Sequence, residues 1–265
     1  MKGSPPDLTD GWAMLPSWLT ELGSLMVVEA EVSVANLYEY SIRLELPTPR
    51  QSEFSSLWAF FSLISAKVAK DWQRTSALFE RCLRSTCNQS HNNFRTIVVC
   101  NELPEITFQH KNVEYVKVDF LPPEKVENPI PRGLTDKGRR VLKGMMYAQQ
   151  FSPTHVMTVD ADDCVSSRLA GFVNQNPAAN GWYLNKGWKY REGDTHIYLK
   201  RRRFYTMSGT ANIVHNDYLD LPETPEYNRG YGYYKFYIDH QKVRGFMEAK
   251  GAPMQPLPFQ GAVYI

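Results

Sequence analysis

At roughly 150 residues per domain, the 265-residue chain corresponds to one or two domains. Its 43% hydrophobic and 22% charged residues describe a globular protein that buries a core without disulfides or structural metal. Thirty basic against twenty-eight acidic residues leave a net charge of +2, which gives no reason to expect a nucleic-acid partner. No stretch approaches the ~18 apolar residues that a membrane span requires, the longest being Leu57 to Ile64. The opening MKGSPPDLTD has no apolar h-region, so no signal peptide is expected. Cys82, Cys87, Cys100 and Cys164 show no CxxC spacing; the expectation is reduced thiols in a cytoplasmic protein.

In chain order, residues 1–55 are irregular and leave through the proline-rich LPTPRQSE, which predicts an appendage and linker of unknown role. LWAFFSLI then predicts a buried strand, and Asp71 caps a helix through DWQRTSALFERCLRSTCNQ with apolar residues at helical spacing. FRTIVVCNE and VEYVKVDF predict two more strands before a proline-rich loop, Pro122 to Pro131. Leu134, Val141, Leu142, Met145, Met146 and Ala148 form the apolar stripe of a second helix that leads into the strand HVMTV. KRRR at Lys200 to Arg203 reads as a solvated strand end. The alternation predicts an α/β fold with a mostly parallel sheet, whose ligand sites lie beyond the carboxyl ends of its strands.

HVMTV delivers Asp160, Ala161, Asp162 and Asp163 to such an edge. Three carboxylates in four residues repel unless cations or hydrogen-bond donors offset them, and hard oxygen ligands suit Mg²⁺ or Mn²⁺. An EF-hand is excluded because its sixth and twelfth places hold Val165 and Gly171. No P-loop occurs, and GYGYYK lacks the third glycine of a dinucleotide loop. A strand followed by DxD also marks haloacid-dehalogenase-like phosphatases, with Asp160 and Asp162 as the candidate nucleophile and acid/base. That pattern departs here at Cys164 and lacks a later acidic pair.

From about Leu57 onward the chain resembles the GT-A-fold glycosyltransferases, in particular the family 2-like inverting enzymes. The resemblance is carried, in order, by WAFFSLIS, DWQRTSALFERCLRSTCNQ, FRTIVVCNE, KGRRVLKGMMYA and VMTVDADDCVS. It implies a Rossmann-type sandwich with a mostly parallel central sheet flanked by helices. It also implies nucleotide-sugar contacts at Ser65, Glu102, Lys137, Gly138, Arg139, Asp160 and Ala161, and a metal at Asp160, Asp162 and Asp163. Independently of the resemblance, a glycine beside cations at a helix start suits a diphosphate.

By the same resemblance the catalytic base falls at Asp239, within IDHQKVRGFMEAKG. The family commonly has Glu-Asp where this chain has Asp239-His240, so His240 stays a second candidate; an imidazole titrates near neutrality without help. Small residues at Ser208, Gly209 and Thr210 predict close approach of a substrate to the backbone. Trp182, Tyr183, Trp188 and Tyr190 are candidates for stacking on sugar or for packing, and His215 and Asp217 are weaker rivals for the base.

The reading is therefore a glycosyltransferase domain over residues 56–265, with a nucleotide-binding half to about 165 and an acceptor half after it. LPFQGAVYI is where relatives are expected to continue, which leaves a C-terminal truncation open. The expected activity is metal-dependent sugar transfer from a nucleotide-diphosphate sugar to a carbohydrate or other hydroxyl acceptor, with inversion. The alternative is a weak or inactive nucleotide-sugar-binding protein. Nucleotidyl transfer expects a glycine-rich loop after the first strand, and SAKVAKD has no glycine. Peripheral membrane association stays open, although no strongly amphipathic basic helix supports it.

Overall fold

The computed structural model describes residues 57–121, 132–223 and 231–265. The expected appendage, residues 1–55, lies outside the described residues, as does the loop from Pro122 to Pro131. Strand β1 (Leu57–Ser62) pairs in parallel with β2 (Phe94–Cys100) on one side and β4 (His155–Val159) on the other. Strand β3 (Val113–Lys117) continues in parallel beyond β2. The order β3-β2-β1-β4 is the Rossmann-type layer expected from the alternation of strands and helices.

Both faces of this layer are covered, which explains why β1 and β2 read as continuous apolar runs. Leu57, Ala59, Phe61 and Leu63 pack with Phe79, Cys82 and Leu83 of helix α1 (Trp72–Cys87). Trp58 and Phe60 point the other way, onto Val141, Leu142 and Met145 of helix α2 (Arg132–Ala148). The period of two in the strands meets the helical period of α1 and α2 on opposite faces. The Asp71 carboxylate accepts the Arg74 N–H at 2.8 Å, capping α1 as its sequence predicts.

The remaining strands were less legible. Strand β9 (Asn212–His215) runs antiparallel between β4 and β6 (Gly181–Tyr183), and β10 (Gln255–Pro256) extends β6 at the edge. Together they complete a seven-stranded sheet, β10-β6-β9-β4-β1-β2-β3. A second sheet, not expected from the sequence, has the order β5-β11-β7-β8. Its members are β5 (Cys164–Val165), β7 (Lys186–Tyr190), β8 (Ile197–Lys200) and β11 (Gln260–Tyr264). Helix α3 (Leu169–Gln175) follows β5, and α4 (Tyr231–Ile238) and α5 (Val243–Ala249) precede β10. All four cysteines are buried and free. No helix of the described residues is long and apolar enough to cross a membrane.

Candidate functional site

Beyond the carboxyl ends of β1 and β4 lies a cavity of about 530 Å³, walled by Ser65, Lys137, Arg140 and the run Asp160 to Asp162. Ser65 follows β1, the acidic run follows β4, and Lys137 and Arg140 project from α2. This is the sheet edge at which open parallel α/β folds hold ligands.

Asp160 is held from three directions. One carboxylate oxygen pairs with the Lys137 ammonium, the other accepts the Gly209 N–H at 3.0 Å, and its own N–H donates to Thr210 Oγ1 at 2.9 Å. A Cβ on Gly209 would stand 2.4 Å from Asp160 Oδ2, so only glycine lets the carboxylate sit there. The small residues Ser208, Gly209 and Thr210 were expected to admit a substrate. In the structure they admit the Asp160 carboxylate.

The three acidic side chains are not equivalent. Asp163 is fully buried and accepts from Ser208 Oγ at 2.5 Å and from the Ile265 N–H at 3.3 Å. Burial pushes its carboxyl up to about 7, with the Asp160 and Asp162 charges pushing the same way and the Ser208 hydroxyl opposing. Asp162 lines the cavity, and burial followed by the Asp160 charge raises its carboxyl above the ordinary value. The repulsion anticipated from the sequence is thus offset by Lys137 and by backbone and hydroxyl donors. Among the described residues no group of three or more His, Cys, Asp or Glu side chains is arranged to hold a metal. Of the three, Asp160 and Asp162 line the cavity, while Asp163 is turned inward to Ser208.

Ser65 and Glu102 are brought together as a pair. Ser65 Oγ donates to Glu102 Oε2 at 2.9 Å, and the Ala66 N–H donates to the same oxygen at 3.0 Å. Glu102 therefore clamps the loop after β1 to the loop after β2, and Ser65 forms part of the cavity wall. Of the expected Lys137, Gly138 and Arg139, only Lys137 reaches the cavity. Gly138 faces Tyr234 of α4, whose ring a Cβ would meet at 2.5 Å. Arg139 is buried against Phe120, its guanidinium donating to Asp136 at 2.7 Å and to the Leu121 carbonyl at 2.9 Å.

Arg140 also lines the cavity; its sequence context alone leaves open a solvated basic face or a diphosphate contact. It is 2% exposed, its Nε donates to Asp136 at 3.0 Å, and its Nη1 has no hydrogen-bond partner among the described residues. The available signal was Asp136, one helical turn before it, the one carboxylate that two buried guanidinium groups share.

Asp239 and His240 lie in the turn between α4 and α5. The Asp239 carboxylate accepts the Gln241 N–H at 3.3 Å, and its carbonyl accepts from Lys242 at 2.8 Å. His240 lines a small second cavity of about 30 Å³ together with Gly209 and Asn212. Burial lowers its imidazole below the ordinary value, with the Thr206 carbonyl and the Asp160 charge pulling it back. Its Nε2 has no hydrogen-bond partner among the described residues. Gly209 thus stands between the two candidate centres, bonded to Asp160 on one side and adjoining His240 on the other. Of the aromatic candidates, Trp182 is core, packed between His155 and Phe172. His215 and Asp217 form a local turn, His215 Nδ1 accepting the Asp217 N–H at 3.3 Å.

No protein-family model and no curated protein matches the chain. Among solved structures it is similar to TarS 1–349 from S. aureus, at 11% identity and a TM-score of 0.44, over 80% of this chain and 60% of that one. The same protein in complex with UDP-GlcNAc aligns at 12% identity and a TM-score of 0.42, over 79% and 58%. The 2-C-methyl-D-erythritol 4-phosphate cytidylyltransferase (IspD) of Francisella tularensis aligns at 9% identity and a TM-score of 0.41, over 76% and 89%. The chain spans about 60% of the length of the TarS structures it matches. Each is a distant likeness of fold within the α/β class read from the sequence.

Proposed function

We propose that this chain is a glycosyltransferase that takes a sugar from a nucleotide-diphosphate donor and passes it to a hydroxyl acceptor with inversion. The observation that carries the reading is the cavity at the strand carboxyl ends, where Asp160 and Asp162 face Lys137 and the buried Arg140. A diphosphate needs fixed cations in a desolvated pocket, and carboxylates beside them suit a divalent ion. Asp160 and Asp162 are the residues that would hold Mn²⁺ or Mg²⁺, which neutralises charge on the leaving diphosphate when bound.

The chain's own groups supply the rest. Lys137 moves from Asp160 to a phosphate oxygen as the donor enters, and Arg140 holds the positive potential of the inner wall. The Ser65–Glu102 clamp keeps the loops after β1 and β2 at a fixed separation around the nucleoside. Gly209 and Thr210 fix the Asp160 carboxylate, so that its orientation is set before the donor arrives. Asp239, or the neutral His240 beside it, takes the proton from the acceptor hydroxyl as it attacks the anomeric carbon from the face opposite the diphosphate.

The test is a thermal-shift series with UDP, GDP, CDP and TDP, with and without Mn²⁺, on the parent chain and on Asp162→Ala. Ligand at 100 times its Kd adds about 2.7 kcal/mol to stability. One nucleotide should stabilise the parent in a Mn²⁺-dependent way and fail to stabilise the variant. No shift with any nucleotide overturns the reading. A shift without sugar transfer to any acceptor would reassign the chain as a nucleotide-sugar-binding protein.

A further inference from the structure

The hairpin formed by β7 and β8, with the run that follows it, carries Lys186, Lys189, Arg191, Lys200 and Arg201 to Arg203 against only Glu192 and Asp194. All seven cations are exposed, and none forms an ion pair with a described residue. The cross-strand register Gly187 with Lys200 and Lys189 with Tyr198 places Lys189, Lys200 and Tyr198 on one face. The opposite face carries the less exposed Trp188, Tyr190, Ile197 and Leu199. Within a chain of net charge +2, this one element carries seven exposed cations that no described carboxylate offsets.

That element is joined to the candidate site at both ends. At its tip, Glu192 pairs with Arg74 at 2.8 Å and lies 3.8 Å from Arg81 on α1. At its root, Arg203 adopts a left-handed backbone with φ of 57°, fixed by its N–H donating to Asn185 Oδ1 at 2.9 Å. A non-glycine residue in that region is held there by its surroundings at some cost in backbone strain. Six residues later comes Gly209, which touches Asp160. The positive surface continues onto α5, where Arg244 sits 4.1 Å from the ring of Tyr183 and 4.8 Å from that of Tyr205. Next to it, Gln241 donates to the Thr206 carbonyl at 3.2 Å, which brings the surface to the Asp239–His240 turn.

We propose that this basic hairpin is the acceptor-binding surface, and that the acceptor is a linear polyanion carrying repeated phosphate or carboxylate groups. The inference rests on the glycosyl-transfer reading above. Lys186, Lys189 and Lys200 on strands roughly 15 Å long, with Arg191 and Arg201 to Arg203 flanking them, meet several charges of one extended chain, and the root delivers that chain to the turn holding the candidate base. A membrane-binding edge would carry large apolar groups for insertion, and a single-strand nucleic-acid surface would interleave several aromatic rings. Tyr198, 55% exposed, is the one large hydrophobic side chain exposed on this face.

The experiment uses the full chain and a variant combining Lys189→Gln, Lys200→Gln, Arg201→Gln and Arg202→Gln. Binding is measured to polyphosphate, to neutral dextran, to single-stranded DNA and to phosphatidylglycerol vesicles, at low and at moderate salt. Polyphosphate should bind the parent more tightly than the other three probes, weaken by at least about tenfold with added salt, and weaken by a similar factor in the variant. The nucleotide-induced thermal shift should be the same in both proteins, which shows that the variant is folded and separates this proposal from the donor-site reading. Polyphosphate binding that is undetectable, no tighter than for dextran, or unchanged in the variant overturns the proposal. Tighter binding to the vesicles or to DNA overturns it in favour of that partner. Loss of the nucleotide shift in the parent itself would instead count against the donor site.

Discussion

Residues 57–165 and residues 166–265 make their strands in different ways. In the first region β1, β2 and β4 are five to seven residues long and almost wholly buried, and each is paired in parallel. In the second, β6 has three residues and β10 two; β6 is a strand because β9 lies beside it, and β10 because it pairs with β6 at the edge. The first region contributes the carboxylates. The second contributes the groups that aim them: Ser208, Gly209, Thr210 and the Ile265 N–H. The contrast teaches that a site at a parallel-sheet edge can be announced by one region and completed by another, far away in sequence.

The largest effect should come where the short strands touch most closely. Gly181 has φ of 138°, and a Cβ there would meet the Ile213 carbonyl oxygen at 2.2 Å. Gly181→Ala combines backbone strain with overpacking, and a loss of about 4 kcal/mol is expected in urea denaturation. A loss below about 1 kcal/mol would mean that β6 and β9 do not depend on that contact.

His155 joins the two regions from the other side. It begins β4, is fully buried, and shares a 2.8 Å hydrogen bond with the Ala179 carbonyl. Burial lowers its imidazole from 6.5 to about 4, His215 adding to the effect while the Ala179 bond and Asp217 oppose it. The unfolded chain therefore takes up a proton that the folded chain refuses. Its contribution is complete above pH 6.5 and is lost as the pH falls toward about 4, by up to about 3 kcal/mol. Denaturant midpoints over this range should fall less steeply for His155→Gln than for the parent; equal slopes would remove His155 as the cause.

Gly209→Ala separates site from scaffold. The added Cβ displaces the Asp160 carboxylate, so nucleotide affinity should fall about tenfold, or 1.4 kcal/mol. Its urea midpoint should move less than that of Gly181→Ala, and an unchanged affinity by calorimetry would show that Asp160 needs no fixed orientation. The smallest effect belongs to the hairpin tip, because Arg74 and Glu192 have side chains 67% and 48% exposed. Arg74→Ala should cost less than about 1 kcal/mol, and a larger loss in denaturation would mean that the tip anchors the second sheet.

Legibility followed the same division. Continuous apolar runs made β1, β2 and β4 readable, and apolar residues at helical spacing made α1 and α2 so, because each spans enough residues to display its pattern. The strand-then-DxD register pointed to Asp160 and Asp162 without any structure. Arg140 stayed open between a diphosphate contact and a solvated face because a buried arginine and a solvated one look alike in sequence until their partner is known; Asp136 was that partner. Asp163 was taken for a ligand beside its neighbours, yet successive residues after a strand point in different directions, and its side chain turned inward to Ser208. Gly138 was assigned to the nucleotide for its lack of a side chain, which the packing of Tyr234 uses instead.

The sequence by itself determined the α/β class, the central strands and their covering helices, and the placing of a carboxylate cluster at a sheet edge, since these depend on local periodicity and on burial of apolar side chains. Tertiary structure alone decided which carboxylates face the cavity, which cations offset them, and that Gly209 adjoins Asp160. Those outcomes depend on contacts between residues some 20 to more than 100 positions apart, and no local pattern encodes them.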